Sequence, residues 1–236
     1  MTDHVFILGG TSGIGLAVAV KVRGLGYAAT IAGRDPAKLE AARRLLGDVG
    51  AIVMDAADPI AVKAAFAGAG PIDHCVLAFG SGKGAGPLRD AKIEAVRQGF
   101  EEKTLPHIAC AQAALPTLRK DGSLTFISAV SAYAALPGTA GLAAANAAVG
   151  ALVPVLAAEL RPLRVNGVAP GVIDTPWWDF LSPDQRRAVF ADYAARTPVG
   201  RIGRPEDVAD AIAFLIGNGF MNGETIVCDG GVRWAA

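Results

Sequence analysis

The sequence has few cysteines, few aromatic residues and no excess of charge of either sign. Three cysteines occur in 236 residues, at positions 75, 110 and 228, and no two have the spacing of a metal or redox motif. We therefore expect reduced core thiols in a cytoplasmic protein and no metal site. Lys and Arg together number 22, as do Asp and Glu, so the formal net charge is zero. This balance argues against nucleic acid or an acidic membrane surface as the main partner.

Charge is also absent from one long stretch, residues 140–158. Its length approaches that of a bilayer span, but it is mostly Ala and Gly and contains Asn146 and Pro154. This composition favours a helix buried against a sheet or a partner subunit over a membrane span. The first apolar run, Val5–Leu8, is too short for a signal peptide.

Short apolar runs alternate with helical segments along the chain. Runs rich in Val and Ile predict seven strands, at residues 4–8, 28–32, 51–54, 74–77, 123–127, 164–168 and 225–227. Asp35-Pro36, Asp58-Pro59 and Ser182-Pro183 each place a capping side chain before a proline, which is typical of a helix start. The alternation predicts one α/β domain over residues 1–236, a doubly wound parallel sheet with helices on both faces. Ligands bind such sheets outside the carboxyl ends of the strands, so the residues that follow each strand are the candidates for a site.

A glycine-rich turn follows the first predicted strand and opens a helix. It reads Gly9-Gly10-Thr11-Ser12-Gly13-Ile14-Gly15. Glycines there let the backbone turn tightly and let a phosphate approach, and the helix N-terminus supplies free N–H groups and a positive dipole end. The turn therefore predicts a phosphate-binding site.

This spacing of glycines resembles the short-chain dehydrogenase/reductase family, and the resemblance covers nearly the whole chain. It implies a Rossmann-type sheet and nicotinamide cofactor contacts from Gly9, Thr11 to Gly15 and Gly80. Further implied contacts come from Asp55-Ala56 after the third strand, Pro170-Gly171 after the sixth, and Ile173 and Thr175 in the segment that contacts the nicotinamide amide. Pro205-Glu206-Asp207 and Asp229-Gly230-Gly231 resemble the C-terminal signatures of the family.

The end of the second strand bears on the choice of dinucleotide. An NAD site usually has a carboxylate there to hold the ribose hydroxyls, whereas this chain has Arg34 followed by Asp35. Arg34 can bind a 2′-phosphate with its planar guanidinium, and a carboxylate would repel it. Asp35 is the competing candidate, but Pro36 behind it indicates a capping role. Because family members with Arg at this point generally prefer NADP, we expect NADP(H) over NAD(H).

The catalytic pattern of the family is not matched. The family uses Ser, Tyr and Lys, with Tyr-x-x-x-Lys on one helix, plus an Asn on an earlier helix. No Tyr-x-x-x-Lys occurs in this sequence. The Tyr position falls on Leu142, the Lys position on Asn146, the Ser position on Ala129 and the Asn position on Lys103. The turn after the fourth strand reads Leu77-Ala78-Phe79-Gly80 in place of Asn-Asn-Ala-Gly.

Lys and Asn are thus exchanged between the two helices. One hypothesis is that Lys103 restores an ammonium near the ribose from the opposite wall while Asn146 binds the ribose hydroxyls; the alternative is two independent losses. Tyr133 in the serine loop and His107, one helical turn after Lys103, are candidate proton donors, although either can be structural. Ser128 and Ser131 are candidates for orienting a carbonyl.

The segment after the nicotinamide turn, residues 174–200, corresponds to the substrate flap of the family. It contains an aromatic group at positions 177, 178, 180, 190 and 193. These rings either line a site for an apolar or aromatic small molecule or anchor the flap.

Two functional hypotheses follow. The first is an NADPH-dependent oxidoreductase with a non-standard site that reduces an activated carbonyl or a quinone-like acceptor, because the missing Tyr acid would matter most for an unactivated ketone. The second is an NADP(H)-binding sensor or an inactive homologue. The resemblance also implies a homodimer or homotetramer, with the uncharged helices around Gln112 and residues 140–158 as its interface.

Overall fold

The computed structural model describes residues 2–235. Its centre is a parallel sheet of seven strands in the order β3-β2-β1-β4-β5-β6-β7. The strands are β1 His4–Leu8, β2 Ala28–Gly33, β3 Gly50–Val53, β4 Ile72–Leu77, β5 Leu118–Ile127, β6 Arg164–Pro170 and β7 Thr225–Cys228. Strand order reverses between β1 and β4, where the carboxyl ends open a crevice. The predicted α/β sheet is confirmed.

The predicted strand boundaries differ from the structure by one or two residues at several ends, and the largest difference is at the start of β5. β5 begins at Leu118, five residues before the predicted Ser123. Its register with β4 shifts between Ile72 and His74, so the segment 119–122 is accommodated as a bulge. The charged residues of that bulge break the apolar pattern on which the prediction relied.

Eight α-helices connect the strands. They are α1 Gly13–Gly24, α2 Pro36–Leu46, α3 Pro59–Ala69, α4 Ile93–Gly99, α5 Leu105–Ala114, α6 Ala140–Glu159, α7 Pro183–Arg196 and α8 Pro205–Gly217. The three predicted caps are confirmed: Asp35, Asp58 and Ser182 each accept backbone N–H hydrogen bonds from the first turn that follows. Asp35 is therefore occupied at the start of α2.

Alternate residues of the strands face two separate apolar cores. Phe6 and Leu8 of β1 pack with side chains of α3, α5 and α6. Val5 and Ile7 pack on the opposite face with α1, α2 and α8. Period-two alternation of side chains, with helices on both faces, explains why β1 is apolar throughout.

Helix α6 has one face in the core and one face outside it. Val149, Val153 and Ala157 are buried against the sheet, whereas Val155 is 60% exposed. Within residues 2–235, α6 is the one helix long and apolar enough to cross a membrane by length and composition alone. The expected packing of this stretch against the sheet is confirmed. Cys75, Cys110 and Cys228 are free thiols, as expected.

Candidate active site

The glycine-rich turn forms a cradle of bare backbone at the carboxyl end of β1. Gly9 adopts a φ of 81°, which disfavours any residue with a side chain. A Cβ on Gly15 would lie 2.2 Å from the carbonyl oxygen of Gly9, so the start of α1 packs directly on the turn. The side chain of Ser12 caps none of the first N–H groups of α1, and the first turn contains no acidic residue. The cradle therefore offers open N–H donors and a positive dipole end to an anion.

The end of β2 adjoins this cradle. A Cβ on Gly33 would lie 2.5 Å from Cγ2 of Thr11, so Thr11 contacts the backbone at the strand end. Arg34 follows and is exposed. Asp35 turns away from it, since its Oδ1 accepts the N–H groups of Ala37 and Lys38 at 2.9 and 3.1 Å. Arg34 is therefore the more exposed of these two charged groups, and Asp35 is held by the first turn of α2.

Other predicted cofactor residues lie at the same carboxyl end of the sheet. Thr175 lies against the start of α1, where a Cβ on Gly13 would be 3.2 Å from the Thr175 side chain. Gly171 continues β6 and donates its N–H to the carbonyl of Cys228 at 2.9 Å. Asp55 is exposed beyond β3 and its Oδ1 accepts the N–H of Ala57 at 3.0 Å. A phosphate-bearing dinucleotide fits this set: open donors at the cradle, and a free guanidinium at the end of β2.

A π-helical turn, Phe100–Thr104, joins α4 to α5 and contains Lys103. Pro106 explains the widened turn, because it has no N–H and its ring would clash with the carbonyl of Glu102 in a regular α-helix. The N–H of Leu105 instead bonds the carbonyl of Phe100. The hydroxyl of Thr104 donates to the carbonyl of Ala145 at 3.1 Å, which ties this turn to α6.

Lys103 extends from the π turn to the carboxyl ends of β4 and β5. Its Nζ donates to the carbonyl oxygen of Ser128 at 3.2 Å. A Cβ on Gly80 would lie 3.3 Å from Nζ, so Gly80 leaves space for the ammonium. Lys103 is 6% exposed and makes no ion pair within residues 2–235. Burial lowers its pKa to about 8.

His107 lies below Lys103 and does not suit the proton-transfer role considered for it. Its ring is fully buried and lies 4.2 Å, centroid to centroid, from the ring of Phe79. Burial, reinforced by the neighbouring Lys103 charge, lowers the pKa of His107 to about 3. Full burial and a lowered pKa favour the structural alternative for His107 over the proton-donor alternative. Its Nδ1 lies 2.7 Å from the carbonyl of Lys103, so the ring holds the backbone of the π turn.

Asn146 and two serines form the opposite wall. Asn146 Nδ2 donates to the hydroxyl of Ser131 at 3.2 Å and to the carbonyl of Leu142 at 2.9 Å. Asn146 Oδ1 and the Ser128 hydroxyl are buried without a hydrogen-bond partner within residues 2–235. Buried polar atoms without partners are rare in native proteins and mark a place where a ligand can bind.

Tyr133 is not brought into this group. It follows the short turn of residues 130–132 and is 40% exposed. A Cβ on Gly150 would lie 2.7 Å from its hydroxyl, so the side chain packs over α6 one helical turn beyond Asn146. The structure gives it no hydrogen bond to Lys103, Ser128 or Ser131.

Comparison with known proteins places this arrangement in a family. Residues 9–233 match the family model described as enoyl-(acyl carrier protein) reductase. The chain is 33% identical to cis-4-hydroxycyclohexanecarboxylate dehydrogenase of Sinomonas cyclohexanicum over 95% of this chain and 94% of that protein. The chain belongs to the short-chain dehydrogenase/reductase family.

Two solved structures agree with this assignment. A small-chain dehydrogenase crystallised in complex with NADPH superposes with a TM-score of 0.87 at 30% identity, over 99% of this chain and all of that one. Levodione reductase has a TM-score of 0.92 at 24% identity, over 99% of this chain and 98% of that one, and shows the fold alone. The chain is an NAD(P)-dependent oxidoreductase of the short-chain dehydrogenase/reductase type.

The segment predicted to be the substrate flap of this short-chain dehydrogenase/reductase combines anchoring and exposed rings. Trp178 Nε1 donates to the carbonyl of Ile173 at 3.0 Å and its ring contacts Phe190. Trp177 packs against Gly82 across the crevice, and Phe180 is 68% exposed. Trp178 thus holds the flap, whereas Trp177 and Phe180 face the open side. Tyr193 lies outside the cluster and stacks with Arg196.

Arg186 is a flap residue that the sequence analysis missed. From α7 its guanidinium pairs with Asp174, bonds the carbonyl of Thr175 at 3.1 Å and pairs with Asp179 at 2.9 Å. It therefore ties α7 to the segment predicted to contact the nicotinamide. No local signal marks it, because its partners lie up to 12 residues away in the chain.

Removing this tie should loosen the flap. Helix α7 has no fully buried residue, so polar contacts such as these hold it together with the ring contact of Phe190 and Trp178. We expect Arg186→Ala to increase the rate of limited proteolysis within residues 183–196 at least about tenfold, given the strength of charge-assisted hydrogen bonds. Arg187→Ala is the matched control, since Arg187 pairs with Asp184 inside the same helix. Equal cleavage rates in the two variants would contradict a tethering role.

Proposed function

We propose that this protein is an NADPH-dependent oxidoreductase with a non-standard catalytic site, which transfers hydride to an activated carbonyl or quinone-like acceptor. The observation that carries the proposal is the position of Lys103 Nζ at the carboxyl ends of β4 and β5, in the crevice that the glycine cradle opens. When bound, NADPH would supply the hydride. The chain would supply binding and orientation, which account for much of the rate of such a transfer.

The preference for NADPH rests on Arg34. The cradle of Gly9 to Gly15 would hold the pyrophosphate, and Arg34 would bind the 2′-phosphate through a charge-assisted pair. Asp35 is engaged by the first turn of α2, which leaves Arg34 as the side chain at this strand end that would meet the phosphate. The structural neighbour crystallised with NADPH is consistent with this choice.

The exchange of Lys and Asn is proposed as a functional swap. The Lys103 ammonium would hold the nicotinamide ribose from the β4 side, and Asn146 Oδ1, which has no partner within residues 2–235, would accept from a ribose hydroxyl. The hydrogen bond of Thr104 to Ala145 keeps the two walls at a fixed separation.

The swap predicts a shared effect on cofactor affinity. Lys103→Ala and Asn146→Ala should each weaken NADPH binding by about 10-fold, the value expected for one hydrogen bond to a charged or buried group. Titration of NADPH fluorescence measures this, with Lys120→Ala, a distant exposed lysine, as the control. Unchanged affinity in either site variant would rule out the swap.

The proposed acceptor class follows from the missing tyrosine. Leu142 stands where the family has its proton donor, and a general acid is worth typically 10²–10⁴-fold. An activated acceptor depends less on that acid than a simple ketone does. The exposed rings of Trp177 and Phe180 at the flap favour an apolar or aromatic small molecule.

Steady-state NADPH oxidation against matched quinones and simple ketones tests the proposal. We expect turnover with quinones and much slower turnover with ketones. NADPH that binds tightly but is oxidised with neither class would favour the second candidate, an NADP(H)-binding sensor or inactive homologue, which the replacement of Tyr by Leu142 also suits. Absence of NADPH binding would contradict both candidates.

The proposed assembly is a homodimer or homotetramer in the cytoplasm. Leu105 and Ile108 of α5 and Val155 of α6 are exposed and apolar, and packing them against a second copy would cover them. Sedimentation of the purified protein measures the oligomeric state.

A further inference from the structure

Reduction of a carbonyl or quinone oxygen requires a proton as well as a hydride. The inference here rests on the proposed function and names the source of that proton. We propose that the Lys103 ammonium is the general acid of this site and donates its proton directly to the acceptor oxygen. Lys103 would then perform both the anchoring and the acid function that the family pattern divides between Lys and Tyr.

The first support is the number of free donors on Lys103. An ammonium has three N–H donors, and within residues 2–235 the structure gives Nζ one acceptor, the Ser128 carbonyl. Two donors remain, which allows one bond to a ribose hydroxyl and one to an acceptor oxygen. The Ser128 hydroxyl is buried without a hydrogen-bond partner within residues 2–235, so it has a donor to offer to an acceptor oxygen bound at this place.

The second support is that the surrounding structure holds Lys103 in place. Pro106 widens the helix at this turn, and His107 Nδ1 lies 2.7 Å from the Lys103 carbonyl. Because Gly80 has no side chain, there is space next to Lys103 Nζ, and a larger residue at this position would reduce it. Because His107 stays neutral, it acts here as a hydrogen-bonding group that positions Lys103.

The acid strength of Lys103 suits the role. Its pKa is lowered to about 8 by burial, so the ammonium form predominates at pH 7 yet loses its proton readily. Ser128, Ser131 and Asn146 on the packed elements are uncharged, and His107 is the titratable group that couples to Lys103. The neighbouring Glu102 carboxylate is exposed and accepts the Ser81 hydroxyl.

The proton balance of the step is complete. Bound NADPH would supply the hydride and become NADP⁺, and the reduced acceptor oxygen would take one proton from the Lys103 ammonium. The N–H bond of Lys103 breaks, an O–H bond forms and Lys103 becomes a neutral amine. Water then returns one proton to the amine, so a turnover consumes one hydride and one proton.

The titration of Lys103 can be measured without any turnover. In protein with lysine labelled at the ε-carbon, nuclear magnetic resonance of the cofactor-free protein should show one lysine with a pKa near 8, and this signal should be missing in Lys103→Met. The variant should remain folded, because it removes a buried charge. Titration of every lysine above about 10, the ordinary value, would overturn the proposal.

Kinetics at saturating NADPH separate the acid role from cofactor anchoring. Wild-type kcat/KM for the acceptor should fall above about pH 8, by about tenfold per pH unit, because the ammonium is the active form. Lys103→Met should reduce kcat by about 100-fold or more, and its kcat/KM should no longer fall above pH 8. Lys120→Met should have the same kcat and the same pH dependence as wild type. Lys103→Arg stays charged, so it should bind NADPH with wild-type affinity, but its kcat/KM should not fall above pH 8.

The outcomes distinguish the two claims. If Lys103→Met retains both the rate and the fall in kcat/KM above pH 8 while wild type oxidises NADPH, the proton proposal is wrong and the proposed function stands. If none of the acceptors supports NADPH oxidation by the wild-type protein, the proposed function is wrong. In that case the absence of a lysine that titrates near pH 8 would also rule out Lys103 as the general acid.

Discussion

Replacing Gly15 with Ala should weaken NADPH binding by about 100-fold or more, which corresponds to about 2.8 kcal/mol. The added methyl group would lie 2.2 Å from the Gly9 oxygen and 2.7 Å from its carbonyl carbon. Both are backbone atoms of the turn, so no side-chain rotation relieves the clash. The start of α1 must move away from the turn, so its N–H groups no longer point at one phosphate position. Equilibrium titration of NADPH fluorescence measures the effect.

The same helix offers a matched control. Gly24 ends α1, and a Cβ there meets no atom within 4 Å. Gly24→Ala should leave NADPH affinity unchanged and slightly raise helix stability. If Gly15→Ala binds NADPH as Gly24→Ala does, the glycine turn is not the phosphate site.

Reversing the charge of Arg34 should reverse the cofactor preference. We expect Arg34→Glu to weaken NADPH binding by about 100-fold, because it removes charge-assisted hydrogen bonds and adds repulsion of the 2′-phosphate. NADH binding should be unchanged or tighter, since Glu can bind the ribose hydroxyls. The ratio of the two dissociation constants is the quantity to measure.

An exposed lysine gives the control for this charge change. Lys63→Glu on α3 alters net charge equally and lies outside the proposed cofactor contacts. Its effect on NADPH affinity should be small and should vanish with added salt. If the ratio of the NADPH and NADH dissociation constants is the same in Arg34→Glu and in wild type, Arg34 does not bind the 2′-phosphate.

Features with local sequence signals were predictable. The β1 strand, the glycine turn after it and the capping Asp35 all follow from patterns within a few residues, and the structure has them where they were expected. The assignment of Asp35 to a cap mattered most, because the proposed role of Arg34 toward the cofactor depends on it. Parallel strand order then brought the strand ends to one crevice.

Features that depend on tertiary packing were not predictable in the same way. Helical spacing correctly put His107 and Lys103 on one face, but only the packing of Phe79 and Phe126 shows that His107 is buried and neutral. The π turn depends on Pro106 together with the contact of Thr104 to α6. Pro106 signals an irregular helix in the sequence, but the contact of Thr104 with α6, which helps to position Lys103, has no local signal.

The most direct test of the account is a single-turnover mixing experiment. NADPH bound to a molar excess of the protein is mixed with a quinone, and the nicotinamide absorbance is followed over time. We expect oxidation that saturates with quinone concentration, proceeds much faster than for free NADPH and slows about 100-fold in Lys103→Met. Oxidation of bound NADPH no faster than that of free NADPH would contradict hydride transfer at this site.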